Sequence, residues 1–247
     1  MKFIYTHFLF LTCSFLYAQN EKNVNQQSLL WTRYYNQIKI NTKWSLHSEF
    51  DNRLFINTIK ENLFMVRVNG RYKINKNTEI GSGFSYFSVS TQDPELNSNF
   101  NIPEYRGQQD ITWKKEFENS TIIQRFQIEE RFFHNANKQS LLPGTKYNWR
   151  FRYRFQADFY WWKKKGQYLK TIAFDEIMIN AGRNIIKNTF DQNRIYGAFQ
   201  YGINKNIALE LGYLKSFQKR ASGVDYFDRD IIRFTFFHKI NLKKKQI

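Results

Sequence analysis

Residues 147–160 alternate between two kinds of side chain with a period of two. One set is aromatic except for one alanine and comprises Tyr147, Trp149, Phe151, Tyr153, Phe155, Ala157 and Phe159. The other set is mostly polar and contains three arginines in a row, Arg150, Arg152 and Arg154. Because neighbouring residues of a β-strand point to opposite faces, the pattern predicts a strand with one aromatic and one cationic face.

Similar alternation predicts eleven strands along the chain. They run over residues 29–40, 44–55, 63–74, 78–88, 104–117, 121–133, 147–160, 167–179, 192–203, 207–217 and 230–242. Most are longer than soluble strands and match the nine to eleven or more residues of a tilted membrane-spanning strand. In segment 167–179, Lys170 and Glu176 share a face with Ile172 and Phe174, which predicts a bulge or slip there.

The connections between these strands alternate strictly in length. Short turns fall near 41–43, 75–77, 118–120, 163–166 and 204–206, and longer ones at 56–62, 89–103, 134–146, 180–191 and 218–229. Membrane β-barrels have this arrangement, with short periplasmic turns and longer outer loops. Asparagine recurs in three short turns, where we expect it to adopt the left-handed conformation that such loops need.

The number of strands bears on how the barrel closes. Bacterial single-chain barrels usually have an even number of strands, so residues 19–28 are expected to form a twelfth strand or to cross the lumen. The predicted fold is therefore all-β, an antiparallel up-and-down transmembrane β-barrel with twelve strands, and ten strands is the alternative. A soluble periplasmic sandwich remains a further alternative, in which the aromatic faces would pack against each other.

Charged residues on the inward faces are expected to line the lumen. The candidates are Arg33, Glu49, Asp51, Arg67, Arg71, Glu104, Arg106, Asp110, Arg125, Glu129, Arg131, Arg150, Arg152, Arg154, Arg194, Glu210 and Arg233. Turn lengths predict the cross-strand pairs Arg33–Asp51, Lys73–Glu79, Arg71–Gly81, Asn69–Gly83 and Gln200–Glu210. Paired Arg and acidic side chains would fill the lumen as a structural ladder, whereas surplus arginine would give a basic lumen that concentrates anions.

The start of the chain predicts export. Lys2 precedes an apolar run from Phe3 to Tyr17, and Ala18 offers a cleavage point, as in a secretory signal peptide. We therefore divide the chain into a signal peptide at 1–18 and one outer-membrane barrel domain at 19–247. The single cysteine, Cys13, lies in the signal, and lipidation there is the less favoured alternative. After cleavage the chain would have no disulfide, thiol catalyst or cysteine-based metal site.

Composition narrows the function further. The formal net charge is +17 and aromatic residues make up 19% of the chain. In an exported chain whose basic residues alternate with aromatic ones, we do not expect this charge to serve nucleic-acid binding. Lysines near the short turns suggest a solvated rim, and Trp44, Trp113, Trp161 and Trp162 suggest an interfacial girdle at the same ends.

The sequence offers little for catalysis. His47 is followed by Ser48, but adjacent strand residues face opposite sides and cannot form a nucleophile–base pair. We expect no enzyme activity, no cofactor and no metal, and the low-ranked alternative is a lipid hydrolase acting at the barrel rim.

Three motifs carry a resemblance to a known family. They are Glu104-x-Arg106 followed by Gln108 and Gln109, Arg125-x-x-x-Glu129-x-Arg131-Phe132, and Arg150-x-Arg152, preceded by an early Trp31. In these the chain resembles an uncharacterised bacterial outer-membrane family, the domain of unknown function 2490. The resemblance implies an outer-membrane β-barrel and brings no established activity, substrate or catalytic residue.

These observations predict a protein of the bacterial outer membrane. The favoured role is a structural or passive-transport barrel with an arginine-rich, partly occluded lumen. The expected partners are outer-membrane lipids, the barrel-assembly machinery and small anionic solutes. The alternative role is a lipid- or ligand-binding barrel acting through its long outer loops, especially 89–103.

Overall fold

Eleven strands close into a single barrel in the computed structural model, which describes residues 22–95, 100–137, 139–185 and 187–242. The strands are β1 (Val24–Lys39), β2 (Trp44–Phe55), β3 (Glu61–Lys73), β4 (Thr78–Val89), β5 (Ile102–Glu116), β6 (Ser120–Ala136), β7 (Leu141–Lys164), β8 (Gln167–Ala181), β9 (Phe190–Gly202), β10 (Ile207–Lys219) and β11 (Tyr226–Asn241). The described residues contain no helix with the length and hydropathy needed to cross a membrane.

The barrel closes through a parallel pair of strands. Every neighbouring pair in the chain is antiparallel, but β1 pairs in parallel with β11 from Val24–Tyr226 to Lys39–Asn241. An odd number of up-and-down strands makes the first and last run in the same direction, so only parallel pairing can close the sheet. The prediction of twelve antiparallel strands is wrong, and so is the alternative of ten. Residues 24–28 extend β1 instead, while residues 19–21 and the predicted signal peptide lie outside the described residues.

The predicted strand registers are confirmed. Arg33 faces Asp51, Lys73 faces Glu79 and Gln200 faces Glu210 on neighbouring strands. Gly81 and Gly83 lie opposite Arg71 and Asn69, as expected. At Gly83, a Cβ atom would collide with the backbone oxygen of Val68 and the Cα atom of Asn69, so this position has to stay small.

The side-chain alternation of residues 147–160 holds throughout this part of β7. Phe151, Phe155 and Phe159 are exposed on the outside of the barrel, whereas Arg150 and Arg152 are buried inside it. The arginines of this strand therefore face the inside of the barrel, and its aromatic residues face the outside.

The predicted loop at 134–146 is mostly strand. β6 continues to Ala136, β7 begins at Leu141, and the two pair as far as Ala136–Leu141. The hairpin projects past the neighbouring strands, because β5 pairs with β6 only to Phe133 and β8 pairs with β7 only from Trp149. The turn between them is as short as the turns at the other end, so the strict alternation of connection lengths fails here.

Asparagine shapes the short turns through its side chain. The Oδ1 atoms of Asn41, Asn75 and Asn204 each accept hydrogen bonds from two backbone N–H groups further along the turn, at 2.8–2.9 Å. The expected left-handed backbone is not found at these asparagines; it occurs at Lys165 and Gly166 of the β7–β8 turn. These asparagines are therefore side-chain acceptors that replace a missing backbone partner.

One side of the barrel interior is apolar. Lys170, Ile172, Phe174 and Glu176 all face inward on β8, and the register shifts lie only towards the ends of its pairings. The bulge or slip expected within this segment is thus not needed to explain its mixed face. The inward apolar cluster comprises Leu29, Trp31, Phe55, Ile172, Phe174, Tyr196, Ala198, Leu214 and Ile231.

Candidate functional site: an arginine-rich lumen

A cavity of about 850 Å³ runs through the interior of the barrel. Its lining reaches Gln37 and Lys239 near the short turns and Gln92 and Arg220 at the opposite end. Among the described residues that line it, 13 are arginines and four are lysines, against five carboxylates. The surface facing the cavity is therefore strongly basic.

Most of the predicted lumen residues border this cavity. They are Arg33, Glu49, Asp51, Arg67, Glu104, Arg106, Arg125, Arg131, Arg150, Arg152, Arg154, Arg194, Glu210 and Arg233. The other three predicted residues, Arg71, Asp110 and Glu129, do not border it. Arg71 binds Asp110 (2.9 Å) and Glu79 near the short turns. Glu129 is fully buried beneath arginines.

The first charged group is an arginine ladder across β5–β9. It consists of Glu104, Arg106, Arg125, Glu129, Arg131, Arg150, Arg152, Arg154, Glu176 and Asp191. Glu129 accepts bonds from Arg150 and Arg152 at 2.5 Å each and from Arg106 at 3.4 Å. Such charge-assisted bonds fix the position of both partners.

Arg152 joins the two central carboxylates of the ladder. Its Nη1 donates to Glu129 at 2.5 Å and its Nη2 donates to Glu176 at 2.8 Å. Glu176 also accepts bonds from Arg125 (2.8 Å) and Arg154 (3.2 Å). Both carboxylates are 0% exposed, so the guanidinium groups cover them. The wall therefore carries the negative charge while the cavity is lined by positive charge.

A second charged group lies across β1–β3 and β10–β11. Arg67 and Arg33 contact Glu49 at 3.4 and 3.6 Å, and Arg233 contacts Glu210 at 3.0 Å. Arg33 faces Asp51 in the register, yet its ion pairs go to Glu49 and Glu210. Asp51 binds Arg53 instead, at 3.3 Å.

Several inward charges escaped the sequence prediction of the site, among them the buried ion pair of Asp158 and Lys170. Glu176 lay on the strand with a mixed face, and Asp191 and Arg229 fell in segments assigned to loops. Arg53 also lines the cavity and was not among the candidates. A stricter use of the period of two across strand ends would have found Arg229, which lies two residues before the inward Ile231.

His47 takes part in a hydrogen-bonded chain that the sequence analysis missed. Its ring nitrogens lie 2.6 Å from the Tyr35 hydroxyl and 3.0 Å from the Ser45 hydroxyl. Ser45, two residues before His47, shares its face, unlike Ser48. The chain resembles a nucleophile–base–orienter arrangement, but its third member is a tyrosine hydroxyl, which carries no charge to stabilise an imidazolium. Its evident effect is to tie β1 to β2.

Comparison with known proteins gives a match to a protein family. Residues 29–227 match the model of a family described as "Protein of unknown function (DUF2490)". This match confirms the resemblance carried by the motifs around Glu104, Arg125 and Arg150. No curated protein and no solved structure matches the chain.

Proposed function

Because the chain belongs to the DUF2490 family and folds into a closed β-barrel, we propose that it is an outer-membrane barrel whose arginine-rich lumen gives small anions a passive path. Lipids of that membrane and the barrel-assembly machinery are its proposed partners, and residues 1–18 its export signal. No catalytic role is proposed.

The apolar belt around the outside of the barrel carries this proposal. Strands β2 to β11 each expose at least one large apolar side chain, among them Phe50, Val68, Phe84, Ile111, Phe126, Phe155, Ile177, Phe199, Leu211 and Phe234. Soluble monomers rarely expose a continuous apolar patch above a few hundred Å². A lipid bilayer is the partner that can cover a belt running around the circumference. The strands have 12–24 residues, enough to span it.

The residues at the two ends of the barrel support an assignment of the ends to the two sides of the membrane. Trp44, Trp161 and Trp162 are exposed close to the short turns, where lysines also gather. Tryptophan favours the interface between lipid and water, and lysine stems can lie along apolar surface while their charges reach water. We therefore assign the short-turn end to the periplasmic side.

The charge of the cavity lining supports an anion path. Its 17 basic residues outnumber its five carboxylates. The fully buried carboxylates of Glu129 and Glu176 in the wall are covered by arginine. A cleft of one sign raises the local concentration of the opposite ion. The inward apolar cluster narrows the lumen, so the solutes it passes are small.

Folding into lipid tests the membrane assignment. Purified protein should show heat-modifiable migration in cold detergent gels and should float with liposomes. Phe126→Arg places a charge in the middle of the belt and should cost about 2–4 kcal/mol of folding free energy in lipid. Asn119→Arg, in the exposed β5–β6 turn, is the matched control and should cost little. A chain that stays monomeric and soluble in plain buffer, without floating, would contradict the proposal.

A ligand-binding role through the long loops is the second candidate. It is favoured by Gln92 in the β4–β5 connection, which reaches into the mouth of the lumen. Its Oε1 accepts a bond from Arg229 and its backbone oxygen one from Gln27, both at 2.8 Å. Planar-bilayer recording separates the two roles. A passive path gives single-channel currents, whereas a ligand-binding barrel whose lumen is closed by the β4–β5 connection gives none.

A further inference from the structure

Arg229 has no acidic partner among the described residues. Its guanidinium donates to three amide oxygens, those of Gln27, Gln218 and Gln92, each at 2.8 Å. The residue is only 5% exposed. Its positive charge is therefore hydrogen-bonded but not neutralised by the part of the chain that the structure describes.

Arg194 has still fewer partners. Its guanidinium carbon lies 5.2 Å from the centroid of the Trp31 ring, and its Nε is buried without a hydrogen-bond acceptor. Glu176 faces Arg194 on β8, but the ion pairs of that carboxylate go to Arg125, Arg152 and Arg154. No carboxylate in the described ranges forms an ion pair with Arg194 itself. The indole N–H of Trp31, a residue only 4% exposed, is likewise buried without an acceptor. Two unsatisfied donors thus lie in the same part of the lumen.

The two arginines stand in one row across the sheet. Arg194 faces Ser216 on β10, and Ser216 in turn faces Arg229 on β11. Their backbones are two strand spacings apart, about 10 Å, and both side chains border the cavity. Arg53 approaches the same place, with its guanidinium 3.8 Å from the Trp31 centroid.

The surroundings of this row make an uncompensated charge costly. The next inward row towards the short turns is apolar and runs through Phe174, Tyr196, Leu214, Ile231 and Leu29. Beside such a wall, the effective dielectric is lower than in water and an unpaired cation is destabilising. Arginine cannot escape this cost by losing its proton, so a counter-anion is the remaining source of compensation.

We propose that Arg194 and Arg229, together with the Trp31 indole N–H, form a binding site for a small oxyanion, a phosphate or carboxylate group. Guanidinium groups offer several N–H donors in a planar fork that matches such oxygens. The site adds a class of ligand to the proposed function. It rests on that function only in requiring that solutes reach the lumen.

Calorimetric titration tests this site on the folded, full-length mature protein in detergent. The probe is inorganic phosphate, with acetate as a second arm and chloride at the same ionic strength as reference. We expect saturable binding of phosphate or acetate and a loss of at least about tenfold in affinity in the double variant Arg194→Gln, Arg229→Gln. The control Lys76→Gln, Lys205→Gln removes two charges at exposed turns and should bind like wild type.

Thermal unfolding provides a second measurement that does not depend on the double variant folding. Phosphate should raise the unfolding temperature of the wild type, because a ligand of the folded state stabilises it, and each single variant should reduce the shift. No saturable effect on the wild type, an equal effect of chloride, or full binding by the variants would overturn the site. A barrel that inserts and conducts yet binds no oxyanion fails only this inference, while one that binds oxyanion but does not enter lipid fails only the proposed function.

Discussion

Two regions of the lumen use arginine in opposite ways. In the arginine ladder of β5–β9, the fully buried carboxylates of Glu129 and Glu176 each hold three guanidinium groups. In the row formed by Arg194, Ser216 and Arg229, Glu176 faces Arg194 but forms its ion pairs with the ladder arginines. The other described neighbours are amides, a hydroxyl and aromatic rings. The first region pairs its arginines with carboxylates in the wall, whereas Arg194 and Arg229 form no ion pair in the part of the chain that the structure describes.

The difference shows that the number of lumen arginines does not by itself describe function. An arginine held by a fixed carboxylate is part of the structure, since its charge is already compensated and its geometry is set. An arginine that has no ion pair of its own is left to attract a diffusible anion. The partner of each arginine, more than its position on the inward face, separates the structural region from the binding region.

Removing a ladder carboxylate should have the largest effect. Glu129→Gln leaves Arg106, Arg150 and Arg152 without their shared acidic partner in a buried position. We expect the free energy of unfolding, measured by urea titration in lipid vesicles, to fall by about 3–5 kcal/mol.

The matched control for this change is Glu116→Gln. The side chain of Glu116 is 69% exposed, and among the described residues it forms an ion pair only with Lys114 near a short turn, so its loss should change stability little. Equal, small losses in both variants would show that the ladder does not hold the barrel together.

Removing one arginine from each region sharpens the contrast. Arg152→Gln breaks the bridge between Glu129 and Glu176 and should cost about 3 kcal/mol. Arg194→Gln breaks no ion pair, because its register neighbour Glu176 is held by three other arginines. In phosphate-free buffer stability should therefore stay within about 0.5 kcal/mol of wild type or rise. The same urea titration measures both, and an Arg194 variant as unstable as the Arg152 variant would erase the distinction.

Supplying the missing carboxylate should have the smallest effect. Ser216→Asp places an acid between Arg194 and Arg229 in the same row and converts this region into a short ladder. We expect a gain of up to about 1 kcal/mol in phosphate-free buffer and loss of the phosphate-dependent shift in unfolding temperature. The asparagine side chain has nearly the same shape as that of aspartate but no charge, so Ser216→Asn should show no such gain. A Ser216→Asp protein that still responds to phosphate as the wild type does would place the anion elsewhere.

Much of the barrel follows from the sequence because a period of two is a direct consequence of strand geometry. The aromatic and cationic faces of 147–160 and the pairs Arg33–Asp51 and Gln200–Glu210 needed only alternation and turn length. The number of strands did not follow from the sequence. An even number was inferred from what is usual in bacterial barrels, whereas this barrel closes through a parallel β1–β11 pair.

The organisation of the charges was less accessible. Arg33 binds Glu49, diagonally placed on β2, and Glu210, two strands away on β10, instead of its register neighbour, because long side chains reach beyond the residue directly opposite. Asp191 and Arg229 were hidden in segments assigned to loops. The inward apolar residues of β8 concealed Glu176, since alternation alone cannot show that a lumen is apolar on one side.

Reversal-potential measurement across a planar bilayer tests the central claim most directly. With purified wild-type protein and a potassium chloride gradient, an arginine-lined path predicts single-channel currents whose reversal potential has the sign of chloride selectivity. The double variant Arg194→Gln, Arg229→Gln should move that potential towards zero. A reversal potential with the sign of potassium selectivity, or a correctly inserted barrel that passes no current, would contradict the account.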